Sequence, residues 1–340
     1  YITKARQNNQ VIEELVFEPQ NGHFVAPTLI RLNSIEDIHE ELFGPILHVI
    51  SYKNDDLETI IDQLNAKGYG LTFGIHSRID KKVKEISSRV NVGNVYINRN
   101  QIGAVVGSQP FGGEGLSGTG PKAGGPNSLH GYSSNMLRSE QSKHKMTFTR
   151  EHFEVQNLIN PTLQLSKDIL SLLRAKFPSL TAEFLEFLDQ EVSRYSHDIK
   201  LPGPTGESNQ LIYKPKGTVL CIGPKHKDAL MQTLLSLFLG NCVISQISKQ
   251  EYESLVEIGF KTENISQLND SPSLSLIESN AYNAVLYFGD DNSVNKLIVT
   301  SRNELIPVVS SIYEAWELIK EKVITIDTTA SGGNANLLAL

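Results

Sequence analysis

Cysteine is almost absent from this 340-residue chain: only Cys221 and Cys242 occur. They form no CxxC pair and have no histidine at metal-ligand spacing, which excludes a disulfide framework and gives no support to a zinc site. Both read as small buried hydrophobes. Long blocks of like charge are also missing. With 31 basic against 38 acidic residues the formal net charge is −7, so there is no electrostatic ground for a nucleic-acid partner. Apolar runs are short. The best of them, Ala229 to Leu239, is interrupted by Gln232 and Ser236 and falls below the roughly 18 to 20 residues that span a bilayer. No initiator methionine and no signal-like n- and h-regions stand at Tyr1, so the chain is expected to begin inside a longer polypeptide, with the cytoplasm as its compartment.

What is present is a mixture of two periodicities. Ile46 to Tyr52 is a short apolar, β-branched run, followed by Leu57, Ile60, Ile61 and Leu64 at helical spacing, closed by Gly68. Leu71 to His76 and Asn94 to Ile97 read as strands, and Val83, Ile86 and Val90 give a helix between them. From Phe148 to Ser196 the pattern is helical (Leu165, Ile169, Leu172 and Leu173, then Phe184, Phe187 and Leu188). The polar piece LPGPTGESNQ, residues 201 to 210, interrupts it. Gly217 to Ile222, Cys242 to Ile247 and Ala284 to Phe288 then read as strands, with a helix over Ala229 to Leu239. Alternation of this kind predicts an α/β fold with parallel sheets, divided into residues 1–145 and 146–340.

Between these patterns lies PFGGEGLSGTGPKAGGPNS, residues 110 to 128, with seven glycines and three prolines in nineteen positions. Neither a helix nor an ordinary strand accommodates it. Together with EELFGP (40–45), GYGLTFGIHSRID (68–80), VGNVYINRNQIGAVVGS (92–108) and the closing TTASGGNANLLAL (328–340), it resembles the C-terminal part of the bifunctional proline utilization A family, within the aldehyde dehydrogenase superfamily. The likeness is strong to about Tyr132 and more diffuse beyond. It implies the C-terminal part of an aldehyde dehydrogenase fold over 1–145. A helical lead-in and a second, degenerate aldehyde-dehydrogenase-like α/β domain over 146–340 would follow, with 328–340 as a covering tail.

The resemblance implies an NAD-dependent dehydrogenase that oxidises L-glutamate γ-semialdehyde, formed from pyrroline-5-carboxylate, to L-glutamate. FAD would belong only to the proline dehydrogenase part, outside this chain. The family's cysteine nucleophile, general-base glutamate, oxyanion asparagine and Rossmann segment would all precede Tyr1. Catalysis would thus need an upstream dehydrogenase polypeptide, the isolated chain would be inactive, and a homo-oligomer is compatible with the family.

Onto the residues present, the resemblance carries two groups of roles. Glu41 matches the glutamate that binds the nicotinamide ribose, and Phe43 the aromatic residue beside the nicotinamide; on the six residues alone, an exposed acidic pair with a core Phe43 is the other reading. Gly124 and Gly125 match the paired glycines of the loop that anchors the substrate carboxylate, where bare N–H groups can approach an anion. Tyr132 matches the aromatic residue over the aliphatic part of the substrate. Ser117 and Thr119 read as loop-stabilising, and His76, in a strand pattern, as structural. The segment KGTVLCIGPKHKDALM (216–231) has a strand–turn–helix layout but no G-x-G-x-x-G, so residues 210–327 read as non-catalytic. The tail residues Leu337, Leu338 and Leu340 cover the cavity between two enzyme sites or complete an assembly contact. A non-enzymatic remnant serving as an assembly module is the rival reading, and an unrelated enzyme using Cys221 a more distant one.

Overall fold

The computed structural model describes residues 1–16, 21–132, 164–268, 274–277, 279, 281–289 and 306–329. The expected boundary at 145–146, the helical lead-in before 164 and the tail from 330 lie outside the described residues. The chain divides into two compact units, one made of Tyr1–Tyr69 with Arg89–Asn91, the other of Gly70–Ser88 with Val92–Leu340.

In the first unit, helix α1 (Ile2–Gln7) precedes strands β1 (Val11–Glu14), β2 (Thr28–Arg31) and β3 (Ile46–Val49). β1 runs antiparallel to β2, and β2 parallel to β3. Ala5, Ile30 and Leu32 form the small core, with Val11, Ile38, Ile46 and Ile50 packed on it. Helix α2 (Leu57–Ala66) follows, as its apolar spacing predicts, and buries Ile61. The Asn65 side chain donates to the Arg89 carbonyl at 2.9 Å and accepts the Asn91 N–H at 2.7 Å. Arg89 meets Glu58 at 2.8 Å and Asp62 at 3.4 Å, so residues 89–91 are stitched onto α2.

The second unit contains the expected strands β5 (Thr72–Ile75) and β6 (Asn94–Ile97), joined by α3 (Asp80–Arg89), whose Val83 and Ile86 are buried. In chain order β4 (Tyr69–Gly70) precedes β5, and β7 (Glu114–Gly115) follows β6. His76 falls just beyond β5 and is exposed, so it is not a strand residue.

Two further helices, α4 (Lys167–Lys176) and α5 (Ala182–Tyr195), start at Ser166 and Thr181, whose hydroxyls accept the Ile169 and Phe184 N–H groups. This is the local capping that defines a helix start. Strands β8 (Ile199–Leu201) and β9 (Glu207–Pro215) form an antiparallel hairpin. The polar stretch 201–210 does interrupt the helical pattern: 202–206 connect the two strands, and Leu201 and 207–210 lie within them. Its buried Asn209 is satisfied by donating to the Pro202 carbonyl at 3.1 Å and accepting the Thr325 hydroxyl at 2.8 Å, which removes the cost of placing polar groups inside a sheet.

β10 (Thr218–Cys221), helix α6 (His226–Phe238), β11 (Cys242–Ser245), helix α7 (Lys249–Ile258), β12 (Ile265–Gln267), β13 (Ala284–Leu286) and β14 (Val308–Val309) build a parallel sheet of order β12-β11-β10-β13-β14. That is the doubly wound order with its switch beside β10. At the first turn two backbone donors are withheld from any ligand. The Gly223 N–H is taken by the Gln232 side chain at 3.1 Å and its carbonyl by the same amide at 2.8 Å, while Pro224 brings no N–H. A cleft lined by Lys225, His226, Ser248 and Lys249 remains at this end.

The last strand, β15 (Ile319–Asp327), carries KEK near its start, a polar pattern that gives no strand signal. It nevertheless lies at the centre of the sheet β5-β6-β15-β9-β8. It runs parallel to β6, Val323 opposite Asn94, and antiparallel to all of β9. Its wholly buried Lys322 donates to the Ser87 carbonyl and Lys214 of β9 to the Ser88 carbonyl at 3.0 Å. Two lysine amines thus meet carbonyls at the C-terminal end of α3, and burial lowers both from the ordinary lysine value, Lys322 further because Lys214 lies beside it.

Candidate functional site

The glycine-rich tract is held against the start of β6. A Cβ at Gly93 would lie 1.8 Å from the Gly112 carbonyl oxygen and 2.4 Å from the Lys122 ammonium, so only glycine admits the tract here. The next residue, Asn94, donates from Nδ2 to the Pro110 carbonyl at 2.9 Å. Its Oδ1 accepts the Gly112 N–H at 3.3 Å and the Lys122 ammonium at 3.1 Å. Lys122 also donates to the Gly112 carbonyl. One buried amide and one buried ammonium therefore tie both arms of the tract to the strand.

Within the tract, Phe111 and Ala123 exchange two backbone hydrogen bonds, of 3.0 and 2.9 Å. The chain then turns. The Gly125 N–H donates to the Lys122 carbonyl at 3.0 Å, and Gly124, third of the four residues, has φ +73°. This is the type II pattern, which needs positive φ at that position and hence glycine. The Gly125 N–H is used inside the turn. The Gly124 N–H has no hydrogen-bond partner among the described residues, and a Cβ built on Gly124 meets nothing within 4 Å. Ser117, expected to stabilise the loop, accepts the Gly70 N–H at 3.1 Å.

Beneath the turn lies a buried carboxylate. Glu321 of β15 accepts the Lys122 N–H at 2.8 Å and the Asn127 side-chain amide at 2.9 Å. Asn127 in turn accepts the Tyr195 hydroxyl at 3.3 Å. Burial pushes the Glu321 carboxyl up, and the Lys122 N–H, the Lys122 charge and the Asn127 donors draw it back. Burial holds the Lys122 ammonium down at about 8, against the pull of Glu321 and Glu114.

The residues singled out in the sequence fall in two places. Glu41 and Phe43 share one loop of the first unit. The Glu41 N–H donates to the Tyr69 hydroxyl at 3.3 Å, leaving its carboxylate exposed. Phe43 is 99% exposed, so it is not a core residue. Pro45 pins the loop to β2 by accepting the Thr28 N–H at 2.9 Å. Gly124 and Gly125 share the turn in the second unit. Tyr132 ends the short 3-10 segment His130–Tyr132 and is 91% exposed; in the same segment His130 stacks on Trp316, ring centroids 5.8 Å apart.

Sequence reasoning missed Asn94, Lys122, Asn127 and Glu321. The pair Gly93-Asn94 at the mouth of a buried strand was a usable signal for the first. Nothing in the sequence joins Glu321 to a turn almost two hundred residues earlier.

Neither cysteine is placed to act as a nucleophile. Cys221 is wholly buried, its thiol pushed up to about 12 by burial, whereas a reactive thiol needs a depressed value. Cys242 is half-buried and donates to Asn264 at 3.6 Å. No cluster of metal-ligating side chains occurs, and no helix is long and apolar enough to cross a membrane, among the described residues.

Comparison with known proteins adds a frame to this geometry. Residues 1–136 match the aldehyde dehydrogenase family. The bifunctional protein PutA of Escherichia coli (strain K12) is 35% identical over 99% of the chain and 25% of its own length. The 1-pyrroline-5-carboxylate dehydrogenase 2 of Bacillus subtilis (strain 168) is 35% identical over 38% of the chain and 25% of its own length. The solved structure of proline utilization A from Corynebacterium freiburgense superposes with a TM-score of 0.59 over 91% of the chain and 28% of its own, at 23% identity, a likeness of fold. The chain spans about a quarter of the length of the curated PutA relatives it matches.

Proposed function

From a chain whose residues 1–136 are an aldehyde dehydrogenase segment, and which is homologous along its length to PutA proteins, we propose part of a proline-catabolic enzyme that oxidises L-glutamate γ-semialdehyde to L-glutamate. The substrate class follows from the similarity of residues in the first third to 1-pyrroline-5-carboxylate dehydrogenases. The residues 1–145 and 146–340 serve as the dehydrogenase part and a non-catalytic α/β domain, and the compartment is the cytoplasm.

The observation that carries this reading is the turn 122–125. A glutamate semialdehyde has a carboxylate at the end remote from its aldehyde, and an exposed, unengaged N–H on a residue without a Cβ is the donor such a group needs. Gly124 offers it. Gly125 contributes by closing the turn, so the two glycines act in sequence rather than as twin donors. Tyr132 offers an exposed ring for the aliphatic chain of the substrate.

NAD+ would supply the hydride acceptor. The residues present fit it: Glu41 is an exposed carboxylate with two acceptor oxygens for ribose hydroxyls, and Phe43 stands clear of its own unit, free to lie against a flat ring. The nucleophile would come from the upstream dehydrogenase polypeptide, joined to this chain or separate from it, since Cys221 is wholly buried with its thiol pushed up to about 12.

The test is reconstitution. The chain alone should reduce no NAD+ with glutamate semialdehyde, and turnover by it would overturn the missing nucleophile. Combined with the cysteine-bearing dehydrogenase segment, activity should appear, and Gly124→Val should raise the KM for the semialdehyde while leaving that for NAD+ unchanged. An unmoved semialdehyde KM would remove Gly124 from the anchor.

A further inference from the structure

The search for a further site leads back to the carboxylate under the turn. Glu321 belongs to the sheet that places Asn94: Val323, two residues on, donates to the Gly93 carbonyl at 2.9 Å and pairs with Asn94. On the other side Glu321 pairs with Tyr213 of β9. The side chain is thus carried on a central strand fixed on both edges, a rigid support of the kind precise positioning needs.

Its two oxygens are divided between the two ends of the turn. One takes the Lys122 N–H at 2.8 Å, before Gly124; the other takes the Asn127 side-chain amide at 2.9 Å, after it. A carboxylate only accepts, so every contact here orients an N–H inward. With Lys122 and Asn127 both held, the peptide linking Ala123 to Gly124 keeps one orientation, and with it the direction of the Gly124 N–H.

We propose that Glu321 is the positioning residue of the substrate anchor: its buried carboxylate grips Lys122 and Asn127 and so aims the Gly124 N–H at the substrate carboxylate. The inference rests on the proposed function for the identity of what is anchored, but not for the grip itself. It gives the otherwise non-catalytic domain a chemical task, since the residue that shapes the anchor is supplied from its last strand.

Glu321→Gln tests it. The side chain keeps its size, but its NH2 must face either the Lys122 N–H or the Asn127 amide, leaving one buried donor unpaired. In the dehydrogenase completed with its nucleophile-bearing segment, the semialdehyde KM should rise about tenfold. The KM for propanal, which has no carboxylate, and that for NAD+ should stay unchanged. Asn127→Ala, which removes one donor and leaves the Lys122 bond, should act in the same direction more weakly, and serves if Glu321→Gln fails to fold.

Amide hydrogen exchange on this chain alone gives a second readout. Residues 122–128 should exchange faster in either variant while β6 remains protected. Unchanged exchange over 122–128, or equal rises in KM for both aldehydes, overturns the proposal. Faster exchange with an unmoved semialdehyde KM supports the grip on the turn and refutes the reading of the turn as the substrate anchor.

Discussion

Replacing Gly93 by alanine adds a single methyl group, and the structure makes that methyl expensive. Its Cβ would stand 1.8 Å from the Gly112 carbonyl oxygen and 2.4 Å from the Lys122 ammonium, where real Cβ atoms come no closer than 3.0 Å to a heavy atom. The lysine tip can swing away. The carbonyl is backbone, and Gly112 is itself bonded to Asn94, so the tract would have to retreat by at least about 1 Å from the strand. Overpacking of this kind costs about 1–3 kcal/mol, and the displaced Lys122 and Asn94 groups leave at least one buried hydrogen bond broken, another ~1–3 kcal/mol. The expected loss is therefore roughly 2–6 kcal/mol.

Urea unfolding of the chain followed by the fluorescence of Trp316, its only tryptophan, would measure this in the unit that contains both residues. Gly112→Ala is the matched control. Its new Cβ meets Lys122 at 3.4 Å, an ordinary contact, so its change should stay within about 1 kcal/mol. If the two variants unfold at the same urea concentration, the close approach of tract and strand is not what holds the turn in place, and the account of the site fails at its base.

Other outcomes follow from burial. Lys122 titrates near 8 in the fold against 10.5 in the unfolded chain, so between those values the unfolded state binds more protons and stability rises with pH. Relative to Lys122→Met, the parent chain should gain up to about 3 kcal/mol from pH 7 to 10.5; parallel pH profiles of the two would refute the buried ammonium. Burial raises the Asp198 carboxyl to about 6 from 3.8, with Gln210 drawing it back. Its charge is therefore a cost above pH 6 that disappears below pH 3.8. Asp198→Asn should raise the melting temperature at pH 7.5 and lose that advantage by pH 4. A gain that persists at pH 4 would assign it to something other than the charge.

Where the chain repeats itself locally, the sequence was readable. Leu57, Ile60, Ile61 and Leu64 mark α2, and Asn94 to Ile97 mark β6 to the residue, because side-chain periodicity reports the buried face of an element directly. The need for glycine in residues 110–128 was equally plain, and the positive φ at Gly115, Gly118, Gly120 and Gly124 gives its reason. What was missed lies in polar residues. The stretch 201–210 does break the helical pattern, yet its Asn209 is a buried strand residue; the pattern around Glu321 and Lys322 hid a central strand because their partners lie far away in the chain.

Local order of residues therefore marked elements such as α2 and β6 and showed that one tract must present bare backbone. Only the tertiary structure decided which of its amides find a partner among the described residues, and that a glutamate from the far end of the chain accepts the Lys122 N–H and the Asn127 side-chain amide. Periodicity is a property of neighbours in sequence. A buried polar group is tolerable only when its partner arrives, and that partner is chosen by the folded sheet.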